Sequence, residues 1–353
     1  MTLLDDPAAY RVDASDMFGH IARLGDEFER AWLASARLAP PRGNFDQVVV
    51  AAMGGSAAAG DYFSAHAAKQ SLAPVEVVRG YTLPGYVGPR TLVIALSYSG
   101  GTEETLSCYR QAATRGAAVV AISTGGELAE RAKADGVPWH PIAYDSPPRA
   151  ALGHSLAALL RIGQRLGMNE LCDPDVGDVA DAHRQLVRDH IGVGVPTERN
   201  AAKQLAELLL DADPLLVLAA EHLAPVGRRT KNQFAENAKV AAAFEEVPEA
   251  THNFVVGLEG GAARQPIALA YQSPKLEGAN QRRFDLLAGI FEAAGGAMAG
   301  LPSRGISRLG DQLEATAWGD YLSCYLAVLR GIDPTPTPSL QRVREAMARE
   351  TAR

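Results

Sequence analysis

At 353 residues, 47% of them hydrophobic, the chain is long enough to bury two cores, and its length favours two domains over one or three. Against 41 acidic residues stand 34 basic ones, scattered along the sequence, for a formal charge of −7 at pH 7. That balance removes any electrostatic reason to expect nucleic acid or an anionic membrane surface as a partner. The opening Met1-Thr2-Leu3-Leu4-Asp5-Asp6 is acidic and no segment reaches about 18 consecutive apolar residues, so neither a leader nor a membrane span is expected and the cytoplasm is the expected location. Cys108, Cys172 and Cys324 are an odd, widely spaced set, which fits reduced thiols and excludes a cysteine-rich metal site.

In chain order, the spacing of apolar residues predicts an amphipathic helix over 14–37, then short strands at 47–53, 75–79, 91–97, 117–123 and 137–142 with helices between most of them. Strands alternating with helices mean βαβ units and a mainly parallel sheet, so residues 40–150 read as one doubly wound α/β domain. Two Ala/Leu-rich helices follow at 149–166 and 173–189. The stretch Ile191-Gly192-Val193-Gly194-Val195-Pro196 reads as a hinge, which divides the chain into residues 1–190 and 191–353. The second half repeats the order, with strands at 215–220, 265–272 and 296–301 and helices at 229–243, 280–294 and 311–330. A Pro-rich segment, 333–338, leads into a basic helix over 340–349.

Two strand-to-helix turns carry chemistry. The buried run Leu92-Val93-Ile94-Ala95-Leu96 passes into Ser97-Tyr98-Ser99-Gly100-Gly101-Thr102 and then into a helix. Glycines permit the tight turn, the helix aims free N–H groups at one point, and the hydroxyls of Ser97, Ser99 and Thr102 converge there. Such a turn suits a phosphomonoester. No Gly-Lys-Ser/Thr follows, which argues against a nucleotide P-loop. Taken alone, the segment also reads as a Ser/Gly-rich loop with a capping threonine. The second turn, Gly54-Gly55-Ser56, follows the strand at 47–53 and would lie beside the first at the carboxyl edge of one sheet, where open α/β folds place ligands.

The runs Met53-Gly54-Gly55-Ser56-Ala57 and Ser97 to Thr105 resemble sugar isomerase (SIS) domains, specifically those of the bifunctional phosphoglucose/phosphomannose isomerases. The resemblance continues through Pro148 to Gly153, Glu236-Asn237-Ala238-Lys239, Pro248 to Asn253 and Gly331 to Pro336, and so spans nearly the whole chain. It implies two flavodoxin-like SIS domains with extra helices, and an aldose–ketose isomerase acting on hexose 6-phosphates through an enediolate. That chemistry requires a proton-transferring carboxylate, a ring-opening group, donors for the enediolate oxygens and a phosphate anchor, with no metal or organic cofactor.

On this resemblance the proton-transferring base is Glu236, which by spacing alone reads as a solvated helix glutamate paired with Lys239 or Asn232. Ring opening falls to His252, otherwise a cap or surface residue, whose unperturbed pKa near 6.5 suits both directions of proton transfer. The family's histidine reaches the partner subunit's site, which implies a homodimer with shared active sites. Arg149 matches the arginine aimed at the enediolate; its alternative is a surface arginine at a helix start, where the dipole mildly disfavours it.

The departures are Gly101 where the family has Asn, Phe254 where it has Glu, and Arg344 where it has a lysine. Arg344 keeps the charge but cannot give up its proton. Thr337 matches a threonine linked to accepting mannose 6-phosphate as well as glucose 6-phosphate. A sugar-phosphate sensor that has lost catalysis, and an isomerase for another sugar phosphate, remain open beside the leading reading. Retention of Glu236, His252 and Arg149 together favours an enzyme over a sensor.

Overall fold

Strands buried along their whole length, such as Thr91–Leu96 and Leu215–Ala220, form only where helices cover both faces of a sheet. The computed structural model, which describes residues 2–212, 214–260 and 266–351, has that arrangement twice. After helices α1 (Met17–Ala22) and α2 (Leu24–Ala34), the first unit runs β1 (Gln47–Ala51), α3 (Gly54–Ala67), β2 (Val75–Val78), β3 (Thr91–Leu96), α4 (Glu103–Thr114), β4 (Ala118–Ser123), α5 (Gly126–Ala134) and β5 (Trp139–Pro141). Its five strands are parallel in the order β2-β1-β3-β4-β5, with Val48 opposite both Val75 and Leu92. This is the flavodoxin-like order, whose switch point lies between β1 and β3.

Helices α6 (Leu152–Arg165), α7 (Asp173–Leu186) and α8 (Ala201–Leu208) lead to the second unit. It comprises β6 (Leu215–Ala220), α9 (Ala224–Gln233), β7 (Ala242–Val247), β8 (Ile267–Gln272), α10 (Gly278–Ala293), β9 (Ala297–Pro302), α11 (Arg308–Leu329) and α12 (Pro338–Thr351). Its four parallel strands follow the order β7-β6-β8-β9, the same pattern as the first four of the other sheet. The repetition expected from strand spacing is therefore present in the connectivity.

Helix α11 is buried from Leu309 to Val328. A helix enclosed on every side is a core helix, and its polar side chains need partners inside the protein. One is the hydrogen bond between Thr316 Oγ1 and Tyr62 OH of α3, at 2.8 Å, which ties the two halves together.

Several expected elements differ in detail. The helix expected over 14–37 is broken at Arg23, and Asp13 and Asp16 cap its first part by accepting from the N–H groups of Met17, Phe18 and Gly19. Arg149 lies in a separate 3₁₀ turn, Pro148–Ala150, ahead of α6, and α7 widens into a π turn at Val187–Ile191 instead of continuing to 189. The helix expected over 229–243 starts earlier, at Ala224, and stops before the strand β7, whose six residues pair along β6. Alanines and glutamates there favour helix locally, and pairing with a buried neighbour overrides that preference. Helix α8 had no counterpart among the expected elements. Residue 265, at the start of the strand expected over 265–272, lies outside the described residues.

Candidate active site

The carboxyl ends of β1 and β3 bring the two turns together. Ser97 is buried, and its Oγ lies 2.8 Å from Thr102 Oγ1 while also accepting from Gly100 N–H at 3.1 Å. Because Thr102 is engaged in this way, its hydroxyl does not cap α4, and that helix keeps its free N–H groups. Ser99 is exposed, its Oγ accepting from Gly101 N–H at 3.3 Å. From the neighbouring turn, Ser56 Oγ accepts Tyr98 N–H at 3.3 Å. Gly100 has φ +70°, and a Cβ there would stand 1.9 Å from the Gly125 carbonyl oxygen, so the turn admits glycine alone. Gly54 opens α3 with φ +51°, also in the left-handed region, but with open space where a Cβ would stand.

The turn holding Arg149 packs directly on this cradle. A Cβ on Gly55 would lie 3.1 Å from Pro148 O and 3.2 Å from Arg149 Cα, so only the missing side chain lets α3 approach so closely. Tyr98 OH, in the cradle itself, donates to Tyr144 O at 2.7 Å and accepts from Ser146 N–H at 3.0 Å, anchoring the segment that leads to Arg149. The Arg149 guanidinium is buried and held on three sides. Nε donates to Asn237 Oδ1 at 2.8 Å, and Nη2 donates to the carbonyls of Pro334 at 2.7 Å and Thr335 at 3.0 Å. Nη1 faces the Glu236 carboxylate, 3.4 Å away. Burial lowers this guanidinium from its ordinary value, partly offset by Glu236, and it remains a cation at neutral pH.

Glu236 sits on a π turn, Phe234–Ala238, that continues α9. Single π turns of this kind are frequent at functional sites. The carboxylate is 30% exposed, open to a substrate and paired only at long range. Beneath it runs a buried network. Asn237 Nδ2 donates to Ser323 Oγ at 2.9 Å, and Ser323 Oγ donates to Asp320 O at 2.9 Å. Asp320 meets Arg229 in a forked pair at 2.5 and 3.2 Å, both side chains at most 5% exposed, and also accepts from Gln233 Nε2 at 2.7 Å. Arg229 Nη2 in turn donates to the Arg149 carbonyl at 3.1 Å. Burial pulls Arg229 down, and Asp320 outweighs it, leaving the guanidinium above its ordinary value.

The sequence assigned roles to Arg149 and Glu236 but none to Arg229 or Asp320, and it placed Asn237, Pro334 and Thr335 in motifs without a role for the Asn237 side chain or the two carbonyls. A signal existed for one of them: an acid such as Asp320 inside a long, mostly apolar helix requires a buried counter-charge. Lys239, read as a partner for the Glu236 carboxylate, instead donates to the Glu236 backbone carbonyl at 2.5 Å.

Thr337 is half-buried at the start of α12, its carbonyl accepting from Leu340 and Gln341 N–H. Arg344 is exposed farther along α12, and no hydrogen bond or ion pair joins it to Glu236 or Arg149 among the described residues. His252 is exposed just beyond β7. Phe254, in the position of the family's glutamate, stacks on Phe291 at 6.4 Å between ring centres. Cys108 and Cys324 are buried and Cys172 is exposed, all three free. Among the described residues, no group of three or more His, Cys, Asp or Glu side chains is arranged to hold a metal ion, and no helix is long and apolar enough to cross a membrane.

Residues 44–135 match the SIS domain model, and residues 198–347 match the bacterial phospho-glucose isomerase C-terminal SIS domain. The chain is 33% identical over 339 residues to a bifunctional phosphoglucose/phosphomannose isomerase of Caldicellulosiruptor bescii, covering 94% of this chain and 99% of that protein. The chain belongs to the bifunctional phosphoglucose/phosphomannose isomerase family. A relative with the same name from Aquifex aeolicus is 31% identical, covering 85% of this chain and 90% of its own length. The family's fold is also seen in a glucose-6-phosphate isomerase like protein from Thermus thermophilus, which aligns over 98% of this chain and 99% of its own with a TM-score of 0.66 at 23% identity. The expectation of two SIS domains is thus met by both sheets and by both family models.

Proposed function

We propose that this protein interconverts fructose 6-phosphate with glucose 6-phosphate and mannose 6-phosphate. The observation that carries the reading is the pairing of Glu236 with Arg149, 3.4 Å apart, on a turn packed against the hydroxyl cradle. In this reading Ser56, Ser97, Ser99 and Thr102, with the N–H groups at the starts of α3 and α4, hold the phosphate. Glu236 carries a proton between C1 and C2, and Arg149 Nη1 meets the negative charge on the enediolate oxygens. A cation fixed by three carbonyl-type acceptors needs no rearrangement as that charge forms. Thr337, near the Arg149 carbonyl partners, bears on which C2 epimer is accepted.

His252 opens the sugar ring, and its exposed position fits donation into the site of a second copy, so the working unit proposed is a homodimer with shared sites. Arg344 is assigned an electrostatic role toward bound substrate. The setting proposed is the cytoplasm, at the hexose phosphate step of glycolysis and gluconeogenesis, with no cofactor. A sensor would need the cradle but not a base held beside a buried arginine, which favours catalysis. The test is purified protein supplied with fructose 6-phosphate, with glucose 6-phosphate and mannose 6-phosphate measured separately. Both products are expected. Formation of neither by protein that binds fructose 6-phosphate would refute the assignment.

A further inference from the structure

Lys239 ends the π turn that carries Glu236, and it does so with φ +57° and ψ +38°, in the left-handed region that favours glycine. A residue whose only task was to stop the turn would be glycine. What lysine adds is its ammonium. Nζ donates to Glu236 O at 2.5 Å and to Pro334 O at 3.2 Å. The same Pro334 carbonyl accepts Arg149 Nη2 at 2.7 Å. One carbonyl therefore joins three segments: the turn of the base, the turn of the guanidinium and the stretch leading into α12. Burial, and next the Arg149 charge, push the Lys239 ammonium below its ordinary value, as expected where two cations are held close together.

We propose that Lys239 is a positioning residue for the isomerase reaction, clamping Glu236 and Arg149 in register through the Pro334 carbonyl, and that its strained backbone is retained for this purpose. This rests on the isomerase reading above. Arg344, the position that matches the family's lysine, lies exposed on α12, and among the described residues no bond joins it to either group, so the cation that touches both the turn of the base and the Pro334 carbonyl holding the guanidinium is Lys239.

Lys239→Gly separates this role from a merely structural one. Glycine relieves the left-handed strain while removing the clamp. The thermal midpoint is expected to hold or rise while kcat for fructose 6-phosphate falls about 10- to 100-fold, the scale of a small misplacement of reacting groups. KM should change far less, because the phosphate cradle is untouched. Lys239→Met, which keeps the strain and loses the charge, should share the low kcat but melt below the glycine variant. Lys239→Arg should recover part of the rate. A glycine variant with kcat within about twofold of wild type would overturn the proposal, as would a fall in midpoint that accompanies the fall in rate. Wild type is assayed alongside: an inactive wild type would overturn the isomerase reading itself, whereas an active wild type with an equally active glycine variant overturns the clamp alone.

Discussion

Asp320→Asn keeps the shape of the side chain and removes its charge, leaving the Arg229 guanidinium buried without a counter-ion. Both groups are at most 5% exposed, and the fork between them has contacts of 2.5 and 3.2 Å. The new amide also turns an N–H toward another donor, either Arg229 or Gln233. Breaking one partner of such a pair costs about 3–5 kcal/mol, far more than the loss of an exposed bridge. For a protein of 353 residues that corresponds to a fall in melting temperature of roughly 4–7 °C, at about 1.3 °C per kcal/mol. Replacing both partners by apolar residues of similar volume, as in Arg229→Met with Asp320→Leu, should recover much of the stability, because no uncompensated charge remains. Activity should stay low in the double variant, since Arg229 no longer holds the Arg149 carbonyl. Thermal melts and turnover of the single and double variants are the assay. A single variant melting within about 1 °C of wild type would refute the reasoning, because it would mean that the Arg229 charge is not desolvated.

Ser99→Ala and Thr102→Val should each weaken phosphate-bearing sugars by about 1–2 kcal/mol, the scale of a hydrogen bond to a charged group, and leave free glucose almost unaffected. Titration calorimetry with both ligands checks this, and equal losses would show that the loop does not hold the phosphate. His66 and His183 are both pushed down to about 4, His66 by burial and then by Arg308, His183 chiefly by burial. Each stays neutral in the fold while the unfolded chain takes up its proton, so stability is full above pH 6.5 and falls as pH drops toward 4, by about 1.4 kcal/mol per unit for each histidine. Urea titrations at pH 7, 6 and 5 should show this slope, reduced by one histidine's share in His183→Gln; an unchanged slope would mean that His183 protonates freely in the fold. Finally, if His252 serves the second subunit, subunit exchange between Glu236→Gln and His252→Ala proteins should restore roughly a quarter of wild-type activity per site, since about half the dimers are mixed and each has one intact site. Verified mixed dimers that stay inactive would assign His252 elsewhere.

The cradle was legible because it is local: one strand, one turn and one helix start within 15 residues contain its hydroxyls and glycines. The sheets were legible for a similar reason, since β3, β4 and β6 are continuous buried runs. β7 was not, because Ala242–Val247 is a partly exposed edge strand whose composition favours helix, and only its register against β6 defines it. Arg149 and Glu236 stand 87 positions apart and Arg229 and Asp320 stand 91 apart, so no periodicity could pair them. The first pair came within reach through family resemblance, and the second only from packing around α11. The π turn under Glu236 also has no sequence signature, being set by how α9 meets Lys239 and the segment beyond α11.

The central claim is that a carboxylate on this turn moves the proton, and Glu236→Gln tests it most directly. The isostere keeps shape and hydrogen bonding and loses basicity. In Glu236→Gln, kcat from fructose 6-phosphate to both aldose phosphates is expected to fall on the order of 10³-fold, while binding of fructose 6-phosphate stays close to wild type. A loss under about tenfold, with wild type active in the same assay, would contradict it and place the base on another residue.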